Sequence, residues 1–448
     1  MNKQEFYEKR EQLKNCQKNK IYDGLKFSQQ EQVLNQKLKI IAENERKYFV
    51  EKFGSQFFMS NSAVYEKQIK NISLEKNQNN SLFQILLQVP KLFEEIVKQE
   101  TTFIEKETGK FFYFQNQDQA GSMFLNLLLE REKSKDKQQF DREIRKKLVL
   151  SEDEAADKDK VWQYFQEKIN NIINLKEGID HVEIRAQINS IFSDKGVQLS
   201  FQESIEQFVE IQSEMRKKYE GFSITLNQVS LKFFTPEVMK KQLKETFQLK
   251  QLYPNLVEGY DMVQEEDKAK SVLDFYEIFQ EKDRLAQEFG FDLNLYMHGG
   301  ESLLLKNENI IDLIQLNCKR IGHGINLVQH SYLMETVREK DICLEICPLS
   351  NQILGYCYDL RNHPARTFQN FGIKLCINPD DHGIFNYQGV TLDFYMCMVA
   401  FEFDLRDLKL CCLNSLKYSS LQEKEKQEKI ISWSQKWDKW VNQVSLEI

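Results

Sequence analysis

The C-terminal half of the chain reads as short apolar runs separated by segments of helical period. Seven runs have the length and apolar content of buried parallel strands: residues 181–184, 223–229, 257–263, 293–297, the short stretch before His323, 343–347 and 374–377. Helical spacing returns between them, as in residues 204–219 and 269–289. Strand alternating with helix predicts a parallel α/β architecture. At the C-terminus, Ile430, Trp433, Trp437, Trp440, Val441 and Val444 follow the 3.6-residue period, so one face of a last helix is apolar. Near the N-terminus, Val33, Leu34, Leu38, Ile41, Tyr48, Phe49 and Phe53 recur at helical spacing. Residues 1–85 are therefore read as a helical extension, packed on the main domain or acting as a dimerisation arm. Residues 86–448 form the main domain, with a charged insert around 106–160.

Composition narrows this picture. A chain of 448 residues with 41% hydrophobic and 12% aromatic content fills one large barrel with additions, or two to three average domains. A net charge of -7 leaves no basic footprint for nucleic acid. No stretch approaches the ~18–20 apolar residues of a membrane span. The opening residues MNKQEFYEKREQLKNCQKNK lack the apolar core of a secretory signal, so an intracellular, cytoplasmic protein is expected. The nine cysteines are odd in number, show no CxxC spacing, and several sit in apolar runs. They read as reduced thiols acting as small hydrophobes.

Polar chemistry gathers at the ends of four of the runs. Met297-His298-Gly299-Gly300-Glu301, Arg320-Ile321-Gly322-His323-Gly324, Glu345 to Asn351 and Asn378-Pro379-Asp380-Asp381 follow successive strands. Ionisable groups at the C-terminal ends of successive strands are how a (β/α)₈ barrel builds an active site. Two histidines, a glutamate and an aspartate pair suit metal-assisted hydrolysis. Each motif alone also fits a structural role: a packed His and Glu in HGGE, or a turn or helix cap for Asp380-Asp381. Four in register are harder to explain that way.

The segments HVEIRAQI, EGYDMV, HGGES, RIGHGINL, EICPLSNQIL, DLRNHP, NPDDHGIF, LDFY, DLRDLK, NSLKYSSL and KWDKW together resemble the adenosine deaminase family, in its growth-factor-like, adenosine deaminase 2-type branch. The resemblance is dense over residues 178–444 and weaker over 20–91. It implies a (β/α)₈ TIM-type barrel and zinc-dependent hydrolytic deamination of adenosine, or a related 6-aminopurine nucleoside, to inosine and ammonia. By the same resemblance His298 and Asp380 are zinc ligands. Glu301 is the proton donor to purine N1, and His323 orients and helps activate the attacking water. Asp381 accepts a hydrogen bond from the purine, and Trp162 lies near the substrate mouth. The N-terminal helices of the branch imply a homodimer.

Departures from the pattern carry equal weight. The family's first strand ends in a His-x-His pair that supplies two more zinc ligands. Here the six histidines are His181, His298, His323, His330, His363 and His382, and no two lie two residues apart. After Pro90-Lys91 the chain runs straight into LFEEIVKQE, so a first strand missing or degenerate within residues 86–115 is expected. Gln264 stands where the family has a glycine against the purine, and His382 where it usually has proline. Two readings follow. One is a deaminase with an incomplete zinc site and impaired turnover. The other is a catalytically inactive deaminase-like barrel serving as a binding or structural module.

Overall fold

The computed structural model describes residues 21–53, 181–186, 200–218, 221–380 and 390–447, with isolated positions elsewhere such as Leu86, Ile179 and Ile188. Its frame is a seven-stranded, all-parallel sheet in which each strand pairs with its sequence neighbours. The strands are β1 (His181–Ala186), β2 (Ser223–Leu231), β3 (Val257–Val263), β4 (Asn294–Gly299), β5 (Arg320–His323), β6 (Cys343–Ile346) and β7 (Lys374–Ile377). All seven expected strands are present, with ends shifted by at most two residues. Helices follow them in turn, making a (β/α) barrel. Among the described residues there is no eighth parallel strand. Residues 86–115 lie outside the described set apart from Leu86 and a two-residue antiparallel ladder, Phe103–Ile104 against Phe111–Phe112. The charged insert also lies outside it, as do Trp162, Asp381 and His382.

Alternation along the strands sorts two interiors. Val182, Ile184 and Ala186 pack with Ile205 and Phe208 of α2 (Phe201–Lys218), α1 being the N-terminal helix below. The intervening His181, Glu183 and Arg185 are equally buried. His181 meets Ser223 of the adjacent strand and Glu183 of its own, while Glu183 and Arg185 face partners across the barrel. Arg185 Nη2 donates to Glu345 Oε1 at 2.7 Å, and Arg320 Nε donates to the same oxygen at 2.8 Å. Arg320 Nη2 reaches Glu183 Oε2 at 2.6 Å. Each charge is thus matched by an opposite one, the condition under which buried ions are tolerated. The apolar side of β3 to β7 joins one large core with the helical shell, which includes Trp433 and Trp437 of the C-terminal helix.

The N-terminal helix α1 (Gln29–Phe53) begins in a reciprocal cap. Ser28 N–H donates to Glu31 Oε2 at 2.6 Å, and Glu31 N–H donates to Ser28 Oγ at 3.2 Å. Glu31 Oε1 also accepts from Trp437 Nε1 at 2.7 Å and from Lys409 Nζ at 2.5 Å. Leu34 and Leu38 are fully buried in the barrel's own core. Val33 departs from the expected inward stripe and is 48% exposed. It sits ~100° around the helix from Leu34, outside the stripe that Leu34 and Leu38 bury. The eight described cysteines are all buried. No helix among the described residues is long and apolar enough to cross a membrane.

Candidate active site

Three of the expected residues converge at the C-terminal ends of the strands. His298, His323 and Asp380 each offer a ligand atom, and those atoms lie within 4.8 Å of one another. All three side chains are buried. His298 lies in β4, His323 ends β5, and Asp380 follows β7 by three residues. Glu301 joins them: its Oε1 lies 3.3 Å from His323 Nε2, which in turn is 3.8 Å from Asp380 Oδ2. The imidazoles of His298 and His323 stand 5.3 Å apart between ring centroids.

Neighbours of this cluster decide its orientation. His298 Nδ1 lies 2.6 Å from Asp261 Oδ2, and His298 N–H donates to Asp261 Oδ1 at 3.0 Å. A carboxylate on Nδ1 makes that nitrogen the donor and leaves Nε2 with a lone pair. His298 Nε2 is buried and has no hydrogen-bond partner among the described residues. Burial alone would raise the Asp261 carboxyl, but His298 and Arg185 together hold it below the usual carboxylate range. Asp380 Oδ2 accepts from Ser350 Oγ at 2.7 Å.

Backbone geometry is unusual at the same place. His323 has φ of 64° and Asp380 of 58°, both in the left-handed region. Non-glycine residues held there commonly mark functional sites. Gly300 has φ of +75°, as the sharp turn after His298 requires, and a Cβ there would meet Asn326 Oδ1 at 2.4 Å. A Cβ on Gly299 would meet Leu313 Cδ1 at 2.2 Å. Positive φ calls for glycine at Gly300, and both positions sit close against the Leu313 and Asn326 side chains.

Other groups at the site were not singled out from the sequence. Glu266, just past β3, accepts from the N–H groups of Gly300 at 3.1 Å and Glu301 at 3.0 Å, and from Asn309 Nδ2 at 2.8 Å. It clamps the loop that carries Glu301. Lys232, one residue past β2, is buried, and burial pushes it below the usual lysine range despite Glu266, Asp261, Asp312 and Glu301 nearby. Asp261 stands within EGYDMV, so its alignment with a strand end was available in the sequence. Neither Lys232 nor Glu266 belongs to any recognisable spacing. Gln264 is exposed at the end of β3 rather than packed into the cluster.

Residues 124–437 match the family model described as adenosine deaminase. The chain belongs to the adenosine deaminase family, in its adenosine deaminase 2-type branch. Adenosine deaminase 2 of Dictyostelium discoideum is 27% identical over 98% of this chain and 88% of that protein. Adenosine deaminase 2 of Homo sapiens is 31% identical over 60% of this chain and 53% of the human protein. The match thus spans about half the length of the human relative. An Arabidopsis structure, ADAL complexed with IMP, aligns with a TM-score of 0.58 over 79% of this chain and 98% of its own, at 14% identity. At that identity the likeness carries the barrel fold.

Proposed function

We propose that the mouth of this deaminase-family barrel is a hydrolytic deamination site for a 6-aminopurine nucleoside such as adenosine, with a weakly held zinc and slow turnover. The observation that carries the reading is the buried His298 Nε2, which has no hydrogen-bond partner among the described residues and lies beside Asp380. A nitrogen lone pair and a carboxylate oxygen make a donor set suited to zinc. His298 and Asp380 would hold the ion, which when bound lowers the pKa of water towards neutrality. Glu301 would donate a proton to purine N1, drawing electron density from C6. His323, 3.3 Å from Glu301, would orient the attacking water. Addition of water at C6 and departure of the amino group as ammonia convert adenosine to inosine.

Weak metal binding follows from the ligand count. Catalytic zinc sites usually have three protein ligands, and no histidine pair of His-x-His spacing exists in this sequence. Asp381 would contact the purine, and Trp162 and Gln264 would border its pocket. The second reading, a barrel that binds a nucleoside without converting it, is favoured by the same missing pair. Residues 1–85 would be a helical extension of the 86–448 barrel. A homodimer through it would use the outward face of α1, where Val33 and Ile40 are exposed, because Leu34 and Leu38 are satisfied within the chain.

Conversion of adenosine to inosine, followed with added zinc and after chelation, tests the proposal. Slow, zinc-dependent formation of inosine that Glu301→Gln abolishes is the expected result. Nucleoside binding with no inosine at any zinc concentration would favour the binding module.

A further inference from the structure

A hydrogen-bonded line runs from the helix shell to the mouth through two of the sequence landmarks, DLRNHP and SNQIL. It starts at α8 (Ala365–Phe371), preceded in chain order by α3 (Pro236–Leu252), α4 (Tyr276–Phe289), α5 (Asn309–Gln315), α6 (Met334–Glu339) and α7 (Pro348–Ile353). Ala365 N–H donates to His363 Nδ1 at 3.1 Å. His363 Nε2 lies 3.1 Å from Asn351 Oδ1, and Asn351 Nδ2 lies 3.0 Å from His323 Nδ1.

Each link dictates the next. A backbone N–H can only donate, so His363 Nδ1 must accept and carries no proton. Burial pushes the His363 imidazole down to about 3, so the ring is neutral and its one proton is on Nε2. That proton requires an acceptor, which fixes the Asn351 amide with its oxygen towards His363 and its NH₂ towards His323. The amide then donates to His323 Nδ1, which must keep its lone pair. The remaining His323 proton sits on Nε2, the atom nearest Glu301 and Asp380.

We infer that His363 and Asn351 are positioning residues that lock His323 in the Nε2–H tautomer, making it a hydrogen-bond donor into the mouth rather than a metal ligand or a ready base. The inference rests on the deaminase reading for its purpose but not for its geometry. It leaves His298 and Asp380 as the metal-holding pair, and it gives His363, buried and stacked on Phe401 with centroids 4.9 Å apart, a task beyond packing.

Nitrogen-15 NMR of the metal-free, histidine-labelled chain reads the tautomer without any dependence on activity, with the His323 signals identified by their loss in His323→Gln. The wild-type chain should show protonated Nε2 and bare Nδ1 at His323. Asn351→Asp, whose carboxylate can only accept, should move the proton to Nδ1. His363→Phe should give a mixture of tautomers, and His363→Gln, which can still donate to Asn351, should restore the single form. Protonated Nδ1 or a mixture in the wild-type chain overturns the inference. So does an unchanged Nε2–H form in Asn351→Asp or in His363→Phe. Because wild type and Asn351→Asp suffice, poor folding of a His363 variant does not rescue it. A confirmed tautomer with no deamination would leave the inference standing while the deaminase reading fails.

Discussion

The floor and the mouth of the barrel are built from the same kinds of residue and treat them oppositely. On the floor, Glu183, Arg185, Arg320 and Glu345 come from three strands and neutralise one another at 2.6–2.8 Å. Their backbones are ordinary strand. At the mouth, His298, His323, Glu301 and Asp380 crowd together, with Glu301 Oε1 3.3 Å from His323 Nε2 and Asp380 Oδ2 3.8 Å from it. Two of them occupy the left-handed region, and His298 Nε2 has no hydrogen-bond partner among the described residues. Buried polar atoms are normally satisfied, and strain normally relaxes. Strain and an unsatisfied buried atom in one place are the pattern that the proposed site reading rests on. The floor holds the strands in register; the mouth is held poised by it, since Arg185 touches both Glu345 at 2.7 Å and Asp261 at 3.6 Å.

Removing a floor charge should give the largest effect. Arg320→Met leaves Glu183 and Glu345 short of a partner in a dry interior, at a cost of about 3–5 kcal/mol of folding free energy. Urea unfolding of the purified variant measures this; a loss under about 1 kcal/mol would mean the floor is not the rigid part.

Asp261 joins the two regions. Asp261→Asn keeps the side-chain shape but no longer holds the His298 ring by a charged acceptor. Zinc affinity, read by competition with a chromophoric chelator, should fall roughly 10–100-fold. Unchanged affinity would show that His298 is oriented by packing alone.

The smallest effect has the opposite sign. His323→Asn places a residue tolerant of left-handed φ at 64° and should stabilise the chain by about 1 kcal/mol. Deamination should be lost in the same variant. A destabilised variant would show that the His323 side chain supports the fold more than its backbone strains it.

Much of the frame was legible because a buried strand leaves a strong signal. The runs that become β2, β4 and β7 are apolar and end in Gly, Pro or polar punctuation, and their boundaries are off by two residues or fewer. His298, Glu301, His323 and Asp380 could be read because each terminates such a run. The floor could not be read. In HVEIRA the charged residues alternate with apolar ones, a pattern that ordinarily marks a strand with one wet face. Here every position is buried, because Arg320 arrives 135 residues after Arg185 to complete the charges. Long-range pairing of that kind has no local signature. The His363–Asn351–His323 line was hidden for the same reason, although both landmarks were in view. Val33 misled because its position, ~100° around the helix from Leu34, falls outside the stripe that this helix buries, whereas the adjacent Trp440 and Val441 of the last helix are both buried.

Zinc titration of the unmodified chain and of His298→Ala, with bound metal measured after buffer exchange, decides whether His298 holds a metal at the mouth. A mouth with a built but under-liganded metal site predicts weak, readily lost zinc binding in the wild-type chain and none at that site in His298→Ala. Stoichiometric zinc that survives exchange and persists in His298→Ala would show that the metal is held elsewhere.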